Sequence, residues 1–227
     1  ADLKAVYIQK INKQRTQLKL DVAAYYDNSI SELSWDNLTT FFNPLSSEFV
    51  DQYQNNNTEK LTVSATPSVV QKITDFWHLT TEINAGTSTE NLDREFKTMD
   101  VITDTLSADF GTENTFIRPA LLLKRGSANT QLRITLGAEF DQFRKINGLY
   151  PSEPLSNQEN KYAYFLPGLR FENNYRTGRR YMIRYRSSVN MPSVNQLLPV
   201  TDVINTLSLY QGNINLECLR TLAAEHA

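Results

Sequence analysis

The sequence predicts an all-β chain: an antiparallel up-and-down meander of about eight strands, part of a larger transmembrane β-barrel. Three observations predict it. Apolar residues recur with a period of two rather than 3.6 over most of the chain. Several alternating runs are longer than the five or six residues typical of soluble sheets, and they suit the roughly 9–11 residues of a strand crossing a bilayer. Short and long polar connections between the runs alternate, as in barrels with tight turns on one side and long loops on the other.

The strands fall near 3–11, 16–27, 58–66, 73–86, 112–125, 129–143, 162–175 and 179–188. In the second, Leu18, Leu20, Val22, Ala24 and Tyr26 alternate with Gln17, Lys19, Asp21, Ala23 and Tyr25. Leu61, Val63 and Ala65 set the phase of the third, and Trp77, Leu79, Thr81, Ile83 and Ala85 that of the fourth. Leu132, Ile134, Leu136, Ala138 and Phe140 alternate with Arg133, Thr135, Gly137 and Glu139 in the sixth. In the last, Tyr181, Ile183 and Tyr185 oppose Arg180, Arg184 and Arg186. Each run turns one face to an apolar medium and the other to water.

The connections expected to be short are 12–15, 67–72, 126–128 and 176–178. Those expected to be long loops are 28–57, 87–111, 144–161 and the chain after Ser188. Within the first of these, 31–42 has the look of a short helix behind an Asn28 or Ser29 cap. The chain reads as one barrel segment over 1–227, with no plug domain, linker or internal repeat recognised.

Composition narrows the function. There are 227 residues, with 23 Lys and Arg against 25 Asp and Glu, a net charge of -2. That balance argues against a nucleic-acid partner. Mean hydropathy is -0.44, which does not fit a helical membrane protein. One cysteine, Cys218, allows no internal disulfide, and two histidines, His78 and His226, supply a metal site or triad poorly. No catalytic residue, cofactor or metal is expected, and the chain is not read as an enzyme. The acids Asp93, Glu95, Asp100 and Asp104 read as solvated groups. The arginines of 179–186 read as a water-facing wall pairing with neighbours such as Glu172, in preference to a specific anion site.

Residues 162–217 carry a further pattern. Tyr164, Phe165 and Pro167 open an amphipathic strand; a tight basic turn and a second strand follow. Then come Asn190, Pro192, Ser193, Gln196, Leu197 and Pro199, and later Gly212, Asn213, Asn215 and Leu216. The order and spacing resemble the barrel domain of TonB-dependent outer-membrane receptors of the Bacteroidetes type. Residues 106–143 look like an upstream hairpin of the same barrels. Met191 stands where that family often has Arg, and Ile214 where it has Pro. After Glu217 the family usually continues into another strand.

The resemblance implies an internal segment of a transporter barrel in the outer membrane of a Gram-negative bacterium. Its partners would be outer-membrane lipid, the TonB complex through a plug absent from this chain, and an extracellular nutrient: a glycan, peptide, siderophore or vitamin. Ligand capture would fall to the long loops and to lumen-facing residues. Tyr150, Phe96 and Trp35 are the loop aromatics able to stack on a ligand, although Trp35 has the alternative of packing its own loop down. Two alternatives stay open. One is a soluble or surface-attached β-sandwich binding module. The other is a small closed outer-membrane barrel with an adhesin or structural role.

Overall fold

A computed structural model describes the chain except for residues 13–14, 43–44, 128, 150–157, 177–178, 203–209 and 227. The architecture is one large antiparallel sheet. Its strands are β1 (Asp2–Asn12), β2 (Thr16–Phe42), β3 (Leu45–Lys72), β4 (Trp77–Thr98), the short β5 (Val101–Ile102), β6 (Ala108–Gly126), β7 (Thr130–Leu149), β8 (Gln158–Arg176) and β9 (Arg179–Asn190). The spatial order is β1-β2-β3-β4-β6-β7-β8-β9, with β5 on β4. A last strand, β12 (Leu219–His226), pairs with β9. Between them lie α1 (Val194–Leu197), β10 (Thr201–Asp202) and β11 (Tyr210–Gln211), the last two pairing with each other. Among the described residues the sheet is open, β1 and β12 being its edges.

The meander is as expected, but the strands run much further. The supposed loop 28–57 is a ladder continuing without interruption to Phe42 opposite Leu45. Residues 31–42 are strand, not helix, with Trp35 paired to Gln52. Asn and Ser clusters look like loop punctuation. Yet 28–57 holds no glycine, and its only proline, Pro44, lies in sequence between the end of β2 and the start of β3, outside the described residues. Nothing in the covalent chain therefore stops the ladder. Likewise β4 continues to Thr98, β6 begins at Ala108, β7 reaches Leu149 and β8 begins at Gln158. The 87–111 loop shrinks to a turn at Met99 and Asp100, both at positive φ, then β5 and a single 3-10 turn over Asp104–Leu106.

The expected turn at 67–72 lies inside β3, and the chain reverses instead at 73–76. Pro67 pairs with Leu20 of β2, while the ladder to β4 skips from Ala65 to Ser68. A residue without N–H thus costs a local gap in one ladder, not the strand.

The register carries one apolar face across the sheet. Leu20 stands beside Pro67, Leu79 beside Leu123, Leu121 beside Leu136, Ile134 beside Leu169 and Phe171 beside Ile183. No element covers this face among the described residues. Leu136 is 51% exposed, Phe140 51% and Phe165 57%. The core lies on the opposite face, where Leu92, Phe110 and Phe143 meet Val194, Leu197, Leu198 and Val200 of the 191–217 segment.

Candidate functional site

The polar face is the chemically furnished one. Its middle is a wall of cross-strand pairs. Arg118 on β6 reaches Glu139 on β7 at 2.6 Å and lies over the Phe116 ring, 4.1 Å from its centroid. Asn114 donates to Asp141 at 3.0 Å. Lys60 faces Glu90 at 3.4 Å, and the hydroxyls of Thr62 and Ser88 meet at 2.8 Å. Asn114 Oδ1 and Asp141 Oδ2 are buried and have no hydrogen-bond partner among the described residues.

At the end away from the 73–76 turn, the described residues of the 191–217 segment fold onto this face. Here the proline- and asparagine-rich pattern becomes a structure. Gln196 accepts the Ser193 N–H at 3.1 Å and so caps α1. Leu197, fully buried, anchors α1 in the core. The chain returns so closely at Gly212 that a Cβ there would lie 2.7 Å from the Gln196 carbonyl and meet that of Leu198. The Gln196 carbonyl also accepts the Asn213 N–H at 2.8 Å. Asn213 Oδ1 then accepts the Asn215 N–H at 2.9 Å, turning the chain into Leu216. Pro199 offers its carbonyl to the Gln211 side chain at 2.7 Å, and Pro192 helps line a cleft. The motif residues thus hold one folded patch on the sheet.

That cleft, about 250 Å³, opens between the sheet and Met191–Ser193. Lys60, Glu90, Asn114 and Arg118 line it, giving hydrogen-bond donors and acceptors at one opening. Nearby, burial pushes the Cys218 thiol up to about 11, with the charge of Asp141 adding to it. Burial likewise pushes the Tyr162 hydroxyl up to about 12. The cysteine is therefore a protonated, packed group rather than a nucleophile at neutral pH. Among the described residues no group of three His, Cys, Asp or Glu side chains could hold a metal ion.

Of the three aromatic residues singled out from the sequence, two come together. Trp35 of β2 and Phe96 of β4 meet edge to face, with centroids 5.9 Å apart. Neither is in a loop. Phe96 is only 1% exposed and Trp35 is half-buried, with its Nε1 lacking a partner among the described residues. Tyr150 lies outside the described residues. The arginine wall is present: Arg180 and Arg170 both reach Glu172 at 3.0 Å. What the sequence did not reveal is the polar cleft. Its parts come from β3, β4, β6, β7 and the 191–193 stretch, and only the register brings them together.

The apolar face has its own furnishing. Along β7 it runs from Leu132 to Phe140, about 27 Å at roughly 3.4 Å per residue. Trp77 and Tyr181 sit at the end nearest the short turns, and Tyr26, Phe140 and Phe165 at the other. Arg125 lies 5.5 Å from the Trp77 ring centroid. Past the upper aromatics the same face turns polar, with Asp93 directly opposite Asp109. Partial burial, and then the charges of Asp109 and Glu95, hold the Asp93 carboxyl above its ordinary value.

Comparison with protein-family models, with curated proteins and with solved structures finds no match to this chain.

Proposed function

We propose that this chain is a segment of an outer-membrane barrel of the TonB-dependent receptor type, serving the import of a bulky nutrient. The observation that carries the reading is the uncovered apolar face. It spans about nine residues on each central strand, is edged by aromatic residues at both ends, and lies on a sheet whose other face is polar. Transmembrane barrels carry an apolar band about 25 Å tall between aromatic girdles. A sandwich would need a second sheet packed on that face, and among the described residues the only other sheet, β10 with β11, continues from the segment packed on the polar face.

On this reading the apolar face meets lipid and the polar face lines the lumen. The hairpin of β2 and β3 extends far beyond the bilayer on the outside. The resemblance of 162–217 to receptor barrels supports the transport role. The polar cleft beside Met191–Ser193 is the candidate contact for the nutrient, and a plug carried elsewhere in the protein would connect to TonB. The test is made on the full-length protein in cells. It should fractionate with outer membrane and require detergent for extraction. Uptake of its nutrient, found by screening labelled glycans, peptides, siderophores and vitamins, should cease when TonB is deleted. Recovery in the aqueous fraction, or uptake indifferent to TonB, would refute the proposal.

A further inference from the structure

The register builds a feature that no single strand displays. Lys72 pairs with His78, His78 with Lys124, Lys124 with Arg133, Arg133 with Arg170, and Arg170 with Arg184. One rung of the polar face is therefore basic across six adjacent strands. Arg186 stands on the next rung, opposite Gly168. Lys124, Arg133, Arg170 and Arg184 fall within about 15 Å, because neighbouring strands are about 4.8 Å apart. Like charges directly opposite one another destabilise a sheet. A row of this length needs a counter-charge.

The described chain supplies only part of it. Glu172 is shared between Arg170 and Arg180, and Glu225 lies 3.6 Å from Arg184. Asp75 serves Lys72. Lys124, Arg133 and Arg186 are exposed and have no carboxylate partner among the described residues. Arg170 Nε has no hydrogen-bond acceptor among them either. Glu82, the next acid on this face, lies on β4, two strands from Arg133.

Beside the row the sheet is hollowed. Thr135 and Gly168 pair across β7 and β8. These small residues leave a recess of about 440 Å³ walled by Arg133, Arg170, Arg184 and Arg186. Guanidinium groups in such an arrangement offer paired N–H donors to the oxygens of phosphate or carboxylate.

We propose that this recess is a binding site for a small, multiply charged oxyanion ligand, bearing phosphate or carboxylate groups. Arg133 and Arg186 make its primary contacts, and Arg170 and Arg184 hold its floor-side oxygens while keeping their own acids. The recess lies nearer the short turns than the cleft at Met191–Ser193, and it stands whether or not the sheet belongs to an importer.

The experiment uses the full-length protein carrying this chain, in detergent, with tripolyphosphate and citrate as probes in titration calorimetry. One variant is R133Q/R186Q; the charge-matched control is K4Q/K10Q on β1. The expected result is one site per chain for at least one probe, weakened roughly tenfold or more in R133Q/R186Q and unchanged in the control. Binding should also fall steeply with added salt. Intact strand content by circular dichroism shows that both variants are folded. Three results overturn the proposal: neither probe binds, both variants lose binding equally, or a hexaglutamate peptide binds the wild type more tightly than either probe. The last would assign the row to an acidic protein segment.

Discussion

Lys145 of β7 donates its ammonium protons to the main-chain carbonyl of Ile214, and at 3.4 Å to that of Leu216. The side chain is 2% exposed, and burial pushes its ammonium below the ordinary lysine value, with Cys218 and Glu217 opposing. This contact ties the 191–217 segment to the sheet at the point where the polar face stops being open to solvent.

The tie predicts a selective loss. Lys145→Met leaves those carbonyls without their donor, at a cost of about 1–3 kcal/mol. Gly212→Val should do more, because the Cβ would collide with the Gln196 and Leu198 carbonyls. In both variants, limited proteolysis should cut within 191–217 much faster than in the wild type, while circular dichroism shows an unchanged strand content. Equal cleavage rates would mean that the segment is held by its apolar anchors alone.

Arginine placed on the apolar face should be costly in a lipid setting. Leu136→Arg or Ile183→Arg is expected to lose about 2–4 kcal/mol. Thr135→Arg, one residue away on the other face, should lose much less. Urea titration of the protein in lipid vesicles measures the difference. Similar losses at 135 and 136 would deny the two faces their different surroundings.

Cys218 gives a pH prediction. Its folded thiol titrates near 11 against an ordinary 9.0, so between those values the unfolded state has released a proton that the folded state keeps. Stability should therefore be level below about pH 9 and fall as pH rises towards 11. Cys218→Ser should flatten that fall, leaving the part due to tyrosines. At pH 8, iodoacetamide should modify Cys218 several-fold more slowly in the folded than in the denatured protein. Matching rates would show the thiol to be neither packed nor shifted.

The Asp93–Asp109 opposition predicts a stabilising substitution. Asp93→Asn removes one of two like charges facing each other on β4 and β6, worth about 0.2–1 kcal/mol at neutral pH. The group's pKa is raised, so the penalty belongs to its ionised form. The gain should shrink as pH falls through the raised pKa of Asp93 and vanish below the ordinary carboxylate value. A variant less stable at pH 7 would show that the Asp93 carboxylate has a favourable partner.

Much of the sheet was legible because period-two alternation survives in every strand core. Leu132 to Phe140 and Tyr181 to Tyr185 fix their own faces without any neighbour. The strand ends were not legible. In 28–57 and 87–98 the apolar contrast fades, since Trp35, Leu92 and Phe96 stand on the otherwise polar face and Asn and Ser clusters resemble loop punctuation. Only pairing to a neighbour makes Trp35 a strand residue. Pro67 misled in the other direction, because a proline whose missing N–H leaves a gap in one ladder is tolerated inside a strand. The motif at Pro192 to Leu216 was visible as spacing, but its contacts were not. The close approach at Gly212 joins positions 14 and 16 residues apart, and the buried Lys145 reaches carbonyls 69 and 71 residues away. The basic row escaped notice for the same reason, each strand contributing one or two charges.

On the proposed reading the apolar face meets lipid. The direct measurement is tryptophan fluorescence in vesicles containing brominated phosphatidylcholine. It starts from the full-length protein with Trp35 and Trp77 replaced by Phe and any tryptophans outside this chain also removed, and places a single tryptophan at Ile134, Thr135 or Leu136 in turn. Strong quenching is expected at 134 and 136 and little at 135. Uniform quenching, or none at any of the three, would contradict it.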